Sequence, residues 1–249
     1  MIARLFALAA VCLTAAGCVS PPTPRDYTAF RSESPRSLLV VPALNNTVSV
    51  EAPEFFLSTV SRPFAERGYY VFPANMVKSV LENDGLSDAG LIHSADTRRL
   101  GRLFGCDAVL YIAIEKWESQ YAVLATSTNV EFQYSLKSCK TGQEIWSNHQ
   151  AMSYSPQNNN SSGNPLADLI AAAVIAAIEK AAPNYIPLAQ QSNFLASHTA
   201  GFGLPAGPYL PAQYQKDLET FPAQSAPAQP SGPVSGGSVQ YTRTPTSTP

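Results

Sequence analysis

Among the side chains able to do covalent chemistry, Cys18 has the clearest fate, because it closes the run Ala15-Ala16-Gly17-Cys18. Ala16 and Gly17 are small enough for a peptidase to bring the backbone close. A thiol exposed at the new N-terminus can then carry acyl chains. Upstream, Arg4 leads into an apolar run over 5–16, about 12 residues and short of the ~20 that cross a bilayer. A charged start, an apolar core and a small-residue cleavage site make up a lipoprotein signal over 1–17, with palmitate expected on Cys18. A plain secretory signal and an uncleaved anchor are the alternatives, and Ala15 stands where leucine is more usual. The following Val19-Ser20-Pro21-Pro22-Thr23-Pro24 is a polar tether. Val19 in place of aspartate directs sorting to the outer membrane, by likeness to enterobacterial lipoproteins.

Two further cysteines lie in the body of the chain, Cys106 and Cys139. In an oxidising periplasm they can form a disulfide, but the spacing does not say whether their Cα atoms come within ~7 Å. Unpaired thiols are weighed slightly ahead of the bridge. His93, His149 and His198 are scattered, and no neighbour of any of them suggests a dyad. His93 reads as a loop residue and His149 as a half-exposed strand residue. The carboxylates Asp107 and Glu115 are candidates for a pair in a cleft, though nothing in the sequence prefers them. No CxxC, GxSxG, P-loop, HExxH or GxGxxG pattern occurs. The reading is therefore of a protein that is not an enzyme, with no metal site and no cofactor. The loop residues Asn45 and Asn46, and the polar loop 157–163, are where partner contacts are expected.

Composition narrows the class further. Of 249 residues only 14% are charged, 21 are proline, and the formal net charge is −2. Without a basic block a nucleic-acid partner has no electrostatic support.

The elements that must position these residues alternate in period. Residues 37–44 (SLLVVPAL) read as a buried strand. From 53 to 67, Phe56, Val60 and Phe64 recur every four positions, an amphipathic helix with Pro63 awkwardly inside it and Gly68 closing it. Residues 68–73 read as a strand. Residues 74–83 read as a helix turning Met76, Val77, Val80 and Leu81 inward. A third helix follows, with Ser94 as N-cap, Asp96 in its first turn and Leu100, Leu103 and Phe104 as its stripe. Arg98, Arg99 and Arg102 form its wet face.

Residues 107–114 (DAVLYIAI) are almost continuously apolar, as in a strand covered on both faces at the centre of a sheet. Residues 120–128 read as a further strand. In 130–136, Val130, Phe132, Tyr134 and Leu136 alternate with polar residues. Gly142 suits a turn, and 144–154 runs back. This makes the C-terminal half an antiparallel meander. Residues 165–182 read as an alanine-rich helix whose apolar core, 169–178, is too short to span a bilayer. Domain bounds follow as signal 1–17, tether 18–36, α/β domain 37–200 and a Pro-rich, largely disordered tail 201–249.

Four segments together carry a family likeness: Leu38-Leu39-Val40-Val41-Pro42-Ala43-Leu44-Asn45-Asn46, Ala65-Glu66-Arg67-Gly68-Tyr69-Tyr70-Val71, Gly105-Cys106-Asp107-Ala108-Val109-Leu110-Tyr111 and Lys140-Thr141-Gly142-Gln143-Glu144-Ile145-Trp146. With Pro22-Thr23-Pro24-Arg25-Asp26-Tyr27-Thr28-Ala29-Phe30 they resemble the Gram-negative lipoproteins typified by a meningococcal vaccine candidate, over roughly residues 18–200. More loosely they look like the TolB N-terminal domain, the curli-secretion lipoprotein CsgG and the penicillin-binding-protein activator LpoB. The wider group usually has alanine at 106 and a polar turn residue at 139. The resemblance implies an α/β fold, a single mixed β-sheet with helices packed on it, used for binding in the cell envelope and carrying no known catalytic residues.

The function expected is that of an outer-membrane lipoprotein assisting assembly or transport, its domain in the periplasm or at the cell surface, with a CsgG-like lipoprotein as a partner and an oligomer compatible. An LpoB-like activator of peptidoglycan synthesis is the second reading, although its Pro-rich segment would lie at the wrong end. A hydrolase or ligand-binding enzyme with an unrecognised site is the third.

Overall fold

A computed structural model describes residues 25–122, 125–154 and 185–223. The signal, Cys18, the loop 157–163 and the expected helix 165–182 lie outside the described residues. Within them the chain is α/β, with one mixed six-stranded sheet and seven helices packed against it. The strands are β1 (Ser37–Val40), β2 (Leu44–Asn45), β3 (Tyr70–Val71), β4 (Ala108–Ala122), β5 (Ala125–Ser138) and β6 (Glu144–Tyr154). Their order is β3-β1-β4-β5-β6, and β2 continues the line of β1 to pair with β4. Pairings among β3, β1, β2 and β4 are parallel, whereas β4-β5-β6 is the expected antiparallel meander. The apolar run at 108–114 is therefore central, as its two-sided hydrophobicity requires. Residues 120–128 are not a separate strand. They form the far end of the β4–β5 hairpin, where Gln120 faces Ser127.

The helices are α1 (Thr28–Glu33), α2 (Ala52–Glu66), α3 (Ala74–Asn83), α4 (Ala89–Ser94), α5 (Thr97–Phe104), α6 (Ile186–His198) and α7 (Pro211–Thr220). The stripe Phe56, Val60 and Phe64 of α2 is wholly buried, and the helix continues through Pro63 to Glu66. Gly68, at φ +85°, turns the chain out of it. In α3 only Val77 and Leu81 are buried. Met76 is 66% exposed and Val80 36%, because one face alone meets the sheet and these two stand at its margin. The expected third helix is two. Ser94 ends α4, and Asp96 caps α5 by accepting from the Arg98 backbone N–H. An aspartate side chain satisfies an orphan donor and also complements the helix dipole there. Leu100 is buried under α5, whereas Leu103 is 42% exposed.

Two layers of side chains fill the fold. On one face, Leu38, Val40, Leu110, Ile112, Phe132, Tyr134 and Trp146 meet Phe56, Val60 and Phe64 of α2 and the buried side of α6. Phe56 and Phe132 approach to 4.6 Å between ring centroids. On the other face, Leu39, Val41, Val109 and Tyr111 pack under Val77, Leu81, Ile92 and Leu100 of α3, α4 and α5. That second cover stops at β4, and on the same face β5 and β6 carry Glu131, Gln133, Lys137 and His149 instead.

The domain is longer than the expected 37–200 at both ends. Tyr27 and Phe30, placed in the tether, are 1% and 2% exposed. Leu204, Ala206 and Phe221, placed in the tail, are also buried. Residues 199–223 run back across the molecule as a strap that ends with Phe221 edge-on to Tyr27, at 5.1 Å. This strap escaped a periodicity reading because its buried residues sit in irregular chain and in one short helix.

Candidate functional site

The C-terminal ends of the parallel strands are where an open α/β sheet leaves a crevice for ligands. Here the chain leaves β1 through Pro42 and β2 ends at Asn45, opposite the first turn of α2 and the side of α3. They enclose a crevice of about 300 Å³ lined by Pro42, Asn45, Glu54, Lys78, Leu86 and Asp88. Three of its charged groups, Lys78, Glu54 and Asp88, are already engaged. Lys78 Nζ lies 2.5 Å from Glu54 Oε1, and Asp88 caps α4 by accepting from the Leu91 N–H at 3.0 Å. Behind the crevice the His93 Nε2 atom meets the Pro42 carbonyl at 3.0 Å. Burial holds the His93 pKa below the usual histidine value. His93 thus fills a packed position against Tyr111, rather than the open loop expected.

Asn45 and Asn46 sit at this rim, with their amides turned to the protein. Asn45 Oδ1 accepts from the Thr47 N–H and hydroxyl, and its Nδ2 donates to the Ser49 carbonyl, so one side chain shapes the whole turn. Asn46 Nδ2 donates to the Glu115 carboxylate at 3.0 Å. Asp107 and Glu115 are not brought together. Asp107 Oδ2 accepts from the backbone N–H groups of Arg36 and Ser37 and from the Ser37 hydroxyl, at the opposite end of β4. Each carboxylate is a local structural acceptor.

The open polar face of the meander holds a charged cluster that the sequence did not single out. Glu131 on β5 meets Lys116 Nζ at 2.5 Å and His149 Nε2 at 2.9 Å. Hydrogen bonds from Lys116 and then His149 hold the Glu131 carboxyl below the usual range. The pairs lie opposite each other across the strands, Lys116 to Glu131 and nearby Gln133 to His149. Cross-strand pairs of this kind are found on solvated sheets. The alternation of β5 and β6 was the signal that could have located them.

A larger groove of about 520 Å³ runs between α2 and α6, lined by Ser58, Arg62, Pro63, Gln190, Gln191 and Phe194. Beneath it runs a buried hydrogen-bond chain. The Tyr134 hydroxyl donates to Asn193 Oδ1, Asn193 Nδ2 donates to Thr59 Oγ1, and the Thr59 hydroxyl donates to the Phe56 carbonyl, at 2.9, 2.9 and 2.7 Å. The chain ties β5, α6 and α2 into one register. Among the described residues no group of three or more His, Cys, Asp or Glu is placed to hold a metal ion.

Cys106 and Cys139 do meet. Their Cα atoms are 6.2 Å apart and their sulfurs are bonded, inside the geometric window that spacing alone could not test. Cys106 follows the Gly105 cap of α5, and Cys139 opens the β5–β6 turn, where Gly142 takes φ +77°. Gly101 makes the approach possible, since a Cβ there would stand 2.7 Å from the Cys139 carbonyl oxygen.

The strap's polar bonds were also missed. Arg67 and Asp217, both nearly buried, pair at 2.5 Å. The Arg67 guanidinium also donates to the Leu204 carbonyl at 2.8 and 3.0 Å. Asp217 further accepts from the Ala206 N–H and from Gln213, both at 2.7 Å. The Tyr27 and Trp146 side chains both donate to the Gly203 carbonyl. Burial pushes the Tyr27 hydroxyl up to about 12. None of these residues follows a hydrophobic period or a catalytic motif, although Tyr27, Arg67 and Trp146 lie in the segments that carry the family likeness.

A family model described as "Putative lipoprotein GNA1162-like" matches residues 25–209, beginning where Arg25 docks on the sheet. The "Putative lipoprotein NMB1124/NMB1162" of Neisseria meningitidis is 36% identical over 157 residues, 63% of this chain and 73% of that protein. The crystal structure of lipoprotein GNA1162 from N. meningitidis is 34% identical, with a TM-score of 0.48, covering 59% of this chain and 99% of its own. The LpoB C-terminal domain from Escherichia coli aligns at 23% identity and a TM-score of 0.30, covering 48% and 84%. With the whole sheet and the first part of the strap inside the matched residues, the chain belongs to the GNA1162-like lipoprotein family.

Proposed function

We propose that this protein is a lipoprotein anchored in the outer membrane through Cys18, acting without catalysis as a binding accessory for assembly or transport in the envelope. The observation carrying this reading is the short interval between the expected acylation site and the folded domain. Arg25 already docks, its guanidinium donating to the Ser147 and Phe202 carbonyls. Six residues lie between it and Cys18, a span of about 25 Å when fully extended. A domain held so close reads partners that arrive at the membrane surface. The Asn45–Asn46 rim of the crevice offers the contact, with mixed charge at Lys78 and Glu54 and backbone carbonyls beside them. A CsgG-like envelope lipoprotein is the first partner to look for, on the sequence likeness alone. The Cys106–Cys139 bridge suits an oxidising compartment such as the periplasm.

Labelling with palmitate tests the anchor. The wild-type chain takes up label and fractionates with outer membranes, and the Cys18→Ala chain does neither. Failure of the wild type to take up label, or equal uptake by both chains, overturns the reading.

A further inference from the structure

The Cys106–Cys139 bridge stands at the margin of the layer under α3, α4 and α5. Its cysteines are 8% and 7% exposed, and both line a surface recess of about 340 Å³ together with Arg98, Gly101, Arg102 and Lys140. Three of these six residues are cationic and none is a carboxylate, in a chain whose net charge is −2. Asp96 neutralises Arg98, accepting from two of its nitrogens. Arg102 and Lys140 are exposed, and neither side chain forms an ion pair among the described residues. The bond that holds the β5–β6 turn to the end of α5 therefore lies beside two uncompensated positive charges.

A disulfide exchanges when a thiolate attacks one sulfur and the other leaves as a thiolate, so negative charge both arrives and departs. Cations beside the bond favour each event, by concentrating the anionic reagent and by stabilising the leaving sulfur. The local structure also outlasts the opening of the bond. The Cys139 N–H donates to the Asp107 carbonyl at 2.8 Å. The turn closes on itself through the Ser138 N–H to the Gln143 carbonyl, at 2.9 Å, and the Gly142 N–H to the Ser138 carbonyl, at 2.8 Å. These bonds keep the turn beside β4 when the sulfurs part.

We propose that Cys106–Cys139 is an exchange site for small anionic thiols of the glutathione class, with Arg102 and Lys140 as the groups that draw them in. One glutathione thiolate attacks a bridge sulfur. The S–S bond breaks, a mixed disulfide forms, and the second cysteine leaves as a thiolate. A second glutathione thiolate attacks the glutathione sulfur of the mixed disulfide, releasing glutathione disulfide and the other cysteine thiolate. Both cysteines then take up the protons that the two glutathione thiols gave to solvent. The bridge gains two electrons and each glutathione loses one. The intermediate is a glutathione adduct on one cysteine, and the product is a domain whose β5–β6 turn has lost its covalent tie to the end of α5.

The test compares three small thiols of different charge, mercaptoethanesulfonate, mercaptoethanol and cysteamine, on the full chain in detergent at low salt. Reduction is read as alkylation of Cys106 and Cys139 by mass, and each rate is divided by thiolate concentration and corrected for thiol basicity. The wild type reacts about tenfold faster with the sulfonate than with cysteamine, and added salt removes the difference. In the Arg102→Gln, Lys140→Gln double change the sulfonate loses its advantage, and glutathione slows by the same factor. Equal corrected rates for the three thiols in the wild type overturn the proposal. So does a preference that the double change leaves intact. Rates independent of thiol concentration also overturn it, because reduction then waits on unfolding of the domain.

Discussion

The aromatic layer beneath α2 and α6 and the C-terminal strap over α1 are held by opposite means. Under α2 the contacts are ring on ring and branched chain on branched chain, so stability accumulates over many weak contacts. In the strap a few polar side chains carry the attachment, and several of them donate to backbone carbonyls of 203–205 and 221. Apolar cohesion tolerates repacking. A polar staple fails when one partner goes, because the other is left buried and unpaired.

That difference is most sharply broken at Asp217. Asp217→Ala strands the Arg67 guanidinium in a buried site, and the expected loss is about 3–5 kcal/mol, measured as a lower urea midpoint. Proteolysis should then cut first within 199–223 rather than in the sheet. Removing the bridge by a Cys106→Ser, Cys139→Ser double change is expected to cost about 2–4 kcal/mol, read from the thermal midpoint with and without a thiol reductant. Only the wild type should respond to the reductant. Asn193→Ala interrupts the chain from Tyr134 to Thr59 inside the aromatic layer. A loss of about 1–3 kcal/mol in chemical denaturation is expected, the cost of leaving the Tyr134 hydroxyl without its acceptor.

The smallest effect concerns pH. His93 has its folded pKa held below the unfolded value by burial, so below about 6.5 the unfolded chain binds a proton that the folded chain resists. Stability therefore falls as pH drops through that value. A His93→Gln chain should show a flatter stability profile between pH 7 and 5 in thermal melts.

The same contrast explains what the sequence made legible. Phe56, Val60 and Phe64 at four-residue spacing, and Val130, Phe132, Tyr134 and Leu136 at two, report a buried face directly, because burial there is repeated along a regular element. The unbroken apolar run of β4 reported its central place for the same reason. Arg67, Asp217 and Tyr27 repeat nothing. Each is a single polar residue whose partner lies far along the chain, as Arg67 and Asp217 do across 150 positions. The candidate site was legible in position and not in state. Asn45 and Asn46 do stand at the mouth of the strand ends, but their amides belong to the turn and to Glu115. Met76 and Val80 misled because helical spacing marks a stripe and not how much of it the sheet covers.

The edge-to-face contact of Tyr27 with Phe221 has a mechanical meaning. It joins the ends of α1 and α7, the first and last helices among the described residues, so Arg25 and Ala223 lie close to one spot. Tension between a point before Arg25 and a point after Ala223 would load that contact first, peeling α1 from α7 through Arg31 and its bonds to the carbonyls of Asp217 and Phe221. The hydrogen-bond ladders of β4, β5 and β6 would carry little of the load.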